Sequence, residues 1–197
     1  MVDTPETASQ TAGPYVHIGY TPNFAGINGV YFQDLGAQMI KGDVSGQRIT
    51  LTGVVYDGTG TPLRDAMVEA WQADAGGRYP GAEGADPAFA GFGRCPCDAE
   101  SGEFRFETIK PGAVAWPTGG FQAPHITLWI VARGINLGLH TRAYFSDEEA
   151  ANAADPVLGR IEHKSRIPTL LASPEGEALY RFNIRLQGPE ETIFFDA

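Results

Sequence analysis

Basic residues, thiols and long apolar runs are all scarce in this chain. Fourteen Lys and Arg stand against 24 Asp and Glu, for a formal net charge of -10. That balance argues against nucleic acid or an anionic membrane as partner, since both need clustered cations. It leaves room for a small anionic ligand, because one arginine can dominate its own pocket whatever the total charge. No apolar run approaches the ~20 residues that cross a bilayer. The opening MVDTPETASQTAGPYVHIG has no basic start and no apolar stretch, which does not fit a secretory signal and points to the cytoplasm. The only cysteines, Cys95 and Cys97, stand in CPC. A bridge between such near neighbours is strained and two thiols are too few for zinc, so reduced thiols are expected, as in a reducing compartment. Ser9 and Ser101 lack a nucleophile elbow, and no phosphate loop or dinucleotide fingerprint occurs.

What is abundant is turn chemistry. The chain has 25 glycines, 14 prolines and 43% apolar residues, which favours strands joined by many turns around a real core. Alternating runs at 48–58, 66–74, 103–109, 124–134, 139–145 and 178–188, with ETIFF at 191–195, read as strands. Helix is limited to 146–154, where Ser146 and Glu149 form a capping-box pattern, and to a short turn near Pro168. Residues 75–101, rich in Gly, Ala and Pro, read as a long ordered loop. These features predict an all-β fold, an antiparallel β-sandwich of about eight strands with long loops, few short helices and an extended N-terminal arm. Residues 1–47 form the arm and its connection, and 48–197 the sandwich, within a single domain. Thr4, Pro5 and SQTAGPY disfavour regular structure, while Tyr15, Val16, Ile18 and Tyr20 suit docking on a partner chain.

The segment PHITLWIVARG carries the candidate chemistry. Period two places His125, Thr127, Trp129 and Val131 on one face and Ile126, Leu128, Ile130 and Ala132 on the other. His125 reads either as half of a metal site or as a satisfied interior histidine. His140 and Arg142 share one strand face and suit a core or interface, and His17 suits an interface or solvent. Asp57, Asp65 and Asp74 sit in hairpin turns, where aspartate commonly binds local amides.

SQTAGPYVHIG, GVVYDGTGTPLRDAMVEAWQADAGGRY, FGRC, TIKPG, APHITLWIVARGINLGLHTRAYF and RFNIRLQGPEETIFFD follow one another over nearly the whole chain. Together they resemble the intradiol ring-cleavage dioxygenases. The resemblance implies a ferric site of two tyrosines and two histidines, with the histidines in a His-x-His strand, in the family's active chains. Here only His125 matches. Thr127 stands at the second histidine, Val114 at one tyrosine, Gln122 at an arginine, and the loop holding the other tyrosine has none, since Tyr79 matches the GGRY motif. The resemblance therefore implies no metal and no catalytic residue in this chain. It implies a subunit that helps wall the pocket of a homologous β subunit carrying Fe(III), in an assembly of αβ protomers that cleaves protocatechuate with O2. The substrate-binding residues carried over are Thr11, Gly13, Pro14, Tyr15 and Arg133. Two other readings stay open: an enzyme by itself with unconventional iron ligands, and a non-enzymatic transthyretin-like binding module.

Overall fold

Apolar alternation becomes strand wherever a second sheet is at hand to cover the apolar face. In the structure, a computed structural model that describes residues 11–196, the elements run as follows. Helix α1 (Pro14–Tyr20) precedes β1 (Arg48–Tyr56), β2 (Met67–Trp71), β3 (Phe92–Pro96), β4 (Glu103–Ile109), β5 (Val114–Ala115) and β6 (Phe121–Gln122). Then come β7 (His125–Val131), β8 (Leu139–Phe145), α2 (Glu149–Ala154), β9 (Leu171–Pro174), β10 (Leu179–Arg181) and β11 (Ile184–Arg185). Two 3-10 segments, Leu158–Arg160 and Lys164–Leu170, link α2 to β9.

One layer is built on β1, which pairs with β4, β10 and β11; the other runs β8-β7-β2-β3. Strand β9 belongs to both. Its start pairs with β8 and its end with β10, closing the sandwich along that corner. Leu51, Phe104 and Phe182 from the first layer meet Val68, Leu128 and Phe145 from the second, all buried in one core. Tyr180 and Ile184 face that core, as the alternation of 178–188 requires.

Several expectations need correction. The sheets are not purely antiparallel, because β10 and β11 run parallel to β1, and β9 parallel to β8. Alternation dictates which face is buried but not the direction of the neighbour. The long loop 75–101 contains β3, whose edge pairs with β2. ETIFF is no regular strand. Thr192 takes the ladder partner's place by donating its N–H to Arg185 O and accepting the Arg185 N–H on its hydroxyl, and only Phe195 bridges to His140. The capping box is absent: Glu148 is the N-cap of α2 without a side-chain bond. The Ser146 N–H instead continues the sheet to Ala172 O, and Glu148 reaches Lys110 Nζ at 2.7 Å. In the arm, Thr4, Pro5 and Ser9 lie outside the described residues. The stretch after them is not fully extended, since Pro14, with its φ already helical, opens α1 behind Gly13. Farther along, Met39 is buried in the core cluster and Ile40 bridges to Phe89.

Gly53 marks the tightest approach of the two halves of the first layer. A Cβ there would collide with the Phe182 carbonyl and lie 2.8 Å from the Phe104 ring. Gly53→Ala is expected to cost about 3 kcal/mol of stability through overpacking, read as a lowered midpoint in denaturant unfolding with an unchanged slope.

Candidate functional site

The outward face of β7 carries His125, Thr127 and Trp129 opposite Tyr144, Arg142 and His140 of β8. His125 is 2% exposed. Its Nδ1 lies 2.7 Å from Ala123 O. A carbonyl only accepts, so Nδ1 carries the proton and Nε2 presents a bare lone pair. That lone pair is buried and unpartnered among the described residues. A metal-binding histidine is oriented in the same way, by an N–H given to a carbonyl.

The neighbours, however, are not a metal's. Arg142, opposite Thr127, donates through Nη1 to Gln122 Oε1 at 2.8 Å and to Tyr144 Oη at 3.2 Å. The Tyr144 hydroxyl points on to Asp155 Oδ1 at 3.5 Å. Asp155, itself buried, accepts the N–H groups of Ala123 at 2.7 Å and of Val157 and Leu158 at 2.8 Å each. Burial, reinforced by the Arg142 cation, pushes the His125 imidazole down to about 4. Burial likewise raises the Tyr144 phenol to about 12, against the opposing pull of Arg142. Both groups are therefore neutral at pH 7.

These residues do not fit a ferric ion. Hard Fe(III) wants anionic oxygen and neutral imidazole. The site offers one imidazole, a threonine hydroxyl, a protonated phenol, the Asp155 carboxylate already engaged by three amide N–H groups, and a guanidinium whose charge repels any cation. Val114 in β5 has no donor atom on its side chain. Tyr79 stacks on Trp71 at 5.7 Å, and burial holds its phenol above the ordinary value. Among the described residues no three His, Cys, Asp or Glu converge.

A second cluster lies past the other end of β7. Arg133 is largely exposed, and its Nε is 3.3 Å from Asp65 Oδ2. Next to it, the Gly134 N–H donates to Thr11 Oγ1 at 2.6 Å, so the arm touches the Arg133 turn directly. Gly13 is the N-cap of α1 and Pro14 opens the helix. Tyr15 is 83% exposed. Hydrogen bonds and ion pairs among the described residues thus join Thr11 to the Arg133 turn, but not Tyr15. His17, expected at an interface or in solvent, is partly buried and bonded to Asp65 O and Thr21 Oγ1.

The sequence does not reveal the partners of three residues. By its strand face alone Arg142 suits a core or interface, and nothing local signals that it lies beside His125. Asp155, the acceptor for three amides, has only its place before Pro156 to mark it. Asp65 looks like any turn aspartate. Asp57 and Asp74 do bind local amides as expected, those of Thr59 and Thr61 and those of Gly76 and Arg78. Asp65 does not follow them.

The depressed imidazole has a defined pH signature. Below its ordinary value of 6.5, the unfolded chain binds a proton at His125 that the folded chain refuses until about 4. Stability from this group is intact above 6.5 and falls across that window by up to about 3 kcal/mol. Unfolding measured at pH 7 and pH 4.5 should show a smaller acid loss for His125→Gln than for the wild type. Asp155→Ala strands three amide donors and should cost about 3 kcal/mol or more at pH 7, seen in the same melts.

Comparison with known proteins agrees with this geometry. A family profile described as Dioxygenase matches residues 21–188. A protein of Pseudomonas putida named protocatechuate 3,4-dioxygenase alpha chain is 49% identical over 195 residues, covering 98% of this chain and 96% of the relative. A Burkholderia cepacia protein named protocatechuate 3,4-dioxygenase beta chain is 37% identical over 173 residues, covering 81% of this chain and 73% of the relative. Among solved structures, 3-chlorocatechol 1,2-dioxygenase from Rhodococcus opacus 1CP shares the fold, with a TM-score of 0.58 at 22% identity over 85% of this chain and 77% of that one. The β-sandwich, the family profile over most of the chain and the near full-length relative lead to one assignment: this chain belongs to the intradiol ring-cleavage dioxygenase family.

Proposed function

We propose that this chain is the iron-free α subunit of a protocatechuate 3,4-dioxygenase. In this reading it pairs with a homologous β subunit that holds Fe(III), and the assembly of αβ protomers adds O2 to protocatechuate to give 3-carboxy-cis,cis-muconate. Both oxygen atoms enter the product as the ring opens between the two hydroxylated carbons. The observation that carries the reading is the near full-length likeness to a named α chain, in a chain whose own His125 pocket holds an arginine among its donors.

Geometry supports a role lent to another chain. The seven residues of β7 put roughly 20 Å between its ends. Arg133, beyond the far end, cannot serve a ligand at His125 in the same chain. It stands instead with Thr11 at an exposed edge, where a partner's pocket can be completed. The arm and its connection expose Tyr15, Ile18, Tyr20, Phe24, Val30 and Phe32. Apolar exposure on this scale is the mark of a surface that a partner covers.

At such a junction, Arg133 would bind the substrate carboxylate, an anion that plain catechol lacks. Thr11 holds the arm against the Arg133 turn. Gly13 and Pro14 supply a stiff backbone wall for a flat ring, and Tyr15 an aromatic face. The chemistry at the reacting carbons belongs to the partner.

Two outcomes test the reading. Purified alone, the chain should be colourless and hold no stoichiometric iron, whereas co-expression with a His-x-His homologue should give a red, iron-bearing complex. A coloured, active lone chain overturns the subunit assignment. In the complex, Arg133→Ala should raise KM for protocatechuate by about tenfold, with a much smaller effect on catechol, in steady-state oxygen uptake.

A further inference from the structure

The Arg133 role proposed above, on which this inference rests, requires the guanidinium to face a defined direction. An arginine side chain 70% exposed does not keep one unaided. Three contacts around it supply the restraint.

The first is Asp65. Of the three turn aspartates, Asp57 and Asp74 are satisfied by amides of their own turns. Asp65 accepts no such amide among the described residues. Its Oδ2 faces Arg133 Nε, and its Oδ1 is buried without a partner. The second contact runs through the backbone of the same residue. His17 Nε2 lies 3.0 Å from Asp65 O, and its Nδ1 lies 3.2 Å from the Thr21 hydroxyl. Since the carbonyl accepts, Nε2 carries the proton, and the Asp65 turn is tied to α1. The third is the Gly134 N–H held on Thr11 Oγ1. Asp65 thus joins the arm helix to Arg133, with its side chain on one and its carbonyl on the other.

We propose that Asp65 is a positioning residue for substrate recognition. By engaging Arg133 through Nε, it leaves both Nη groups without a side-chain or backbone partner among the described residues, as a fork that takes a carboxylate through two parallel hydrogen bonds. The pair is exposed, so it orients the guanidinium without holding it away from an incoming anion. Arg133 then meets the substrate carboxylate with less side-chain freedom left to lose.

The test uses the αβ complex and steady-state kinetics on protocatechuate and on catechol. Asp65→Asn should raise KM for protocatechuate about threefold to tenfold, with kcat within twofold and catechol kinetics unchanged. Asp65→Glu, which keeps the charge one methylene farther out, should recover part of the loss. In an Arg133→Ala background, Asp65→Asn should have no further effect. If Asp65→Asn disturbs assembly, Asp65→Ser replaces it in the same cycle. An unchanged or lowered KM overturns the proposal, as does an equal rise on both substrates or a rise that persists without Arg133. If Arg133→Ala is itself silent on protocatechuate, the substrate role of Arg133 falls. If Arg133→Ala acts and Asp65→Asn does not, only the positioning role falls.

Discussion

The two faces of β7 divide the labour of the molecule. Ile126, Leu128 and Ile130 face inward and are fully buried, and they fix the strand against the opposite sheet. With that face committed, His125, Thr127 and Trp129 can only point outward, and their spacing along the strand is set by the pleat. The same strand then delivers Arg133 at its far end. This rod carries a buried polar cluster at one end and an exposed cation just past the other.

The cluster around His125 shows how a polar pocket without a metal stays closed. A buried imidazole, phenol and carboxylate still need partners, because unpaired polar groups in a low-dielectric interior are costly. Arg142 meets much of that need by donating to Gln122 and Tyr144. The Asp155 carboxylate is satisfied by gathering three amides. The result is a polar network whose positive member sits beside the one remaining imidazole. A site built this way resists a metal electrostatically as well as by lack of donors. Among the described residues, His125 Nε2 alone is left without a partner in the network.

Much of this was legible in the sequence, and the illegible parts share a cause. The inner and outer sets of PHITLWIV, the run EFRFETI and the run LHTRAYF all map onto strands with the expected faces. Replacement of a histidine by Thr127 and of a tyrosine by Val114 is visible without any structure once the family pattern is recognised. Strand β3 was hidden because its neighbours are glycine and proline, although pairing with Met67–Trp71 overrides that local preference. The helix cap at Ser146 failed because α2 starts only at Glu149, behind Glu148, and the Ser146 N–H that a capping box would give to Glu149 is bound to Ala172 across the sheet. Arg142 and Asp65 were hidden for a deeper reason. Their roles depend on which distant residue they meet, and alternation is silent on that.

The pairing of β1 with β10 and β11 has a consequence for biosynthesis. Residues Thr50 to Tyr56 are matched with partners between Leu179 and Arg185, far along the chain from β1. A nascent chain emerging from the ribosome can form the meander of the second layer early, since β7 and β8 are near neighbours in sequence. It cannot close the first layer until β10 and β11 are free of the exit tunnel. Contacts of such long sequence separation slow folding and leave a sheet edge open meanwhile. During that interval β1, already paired with β4, waits with its other edge bare, and the half-built polypeptide is at its most prone to aggregate.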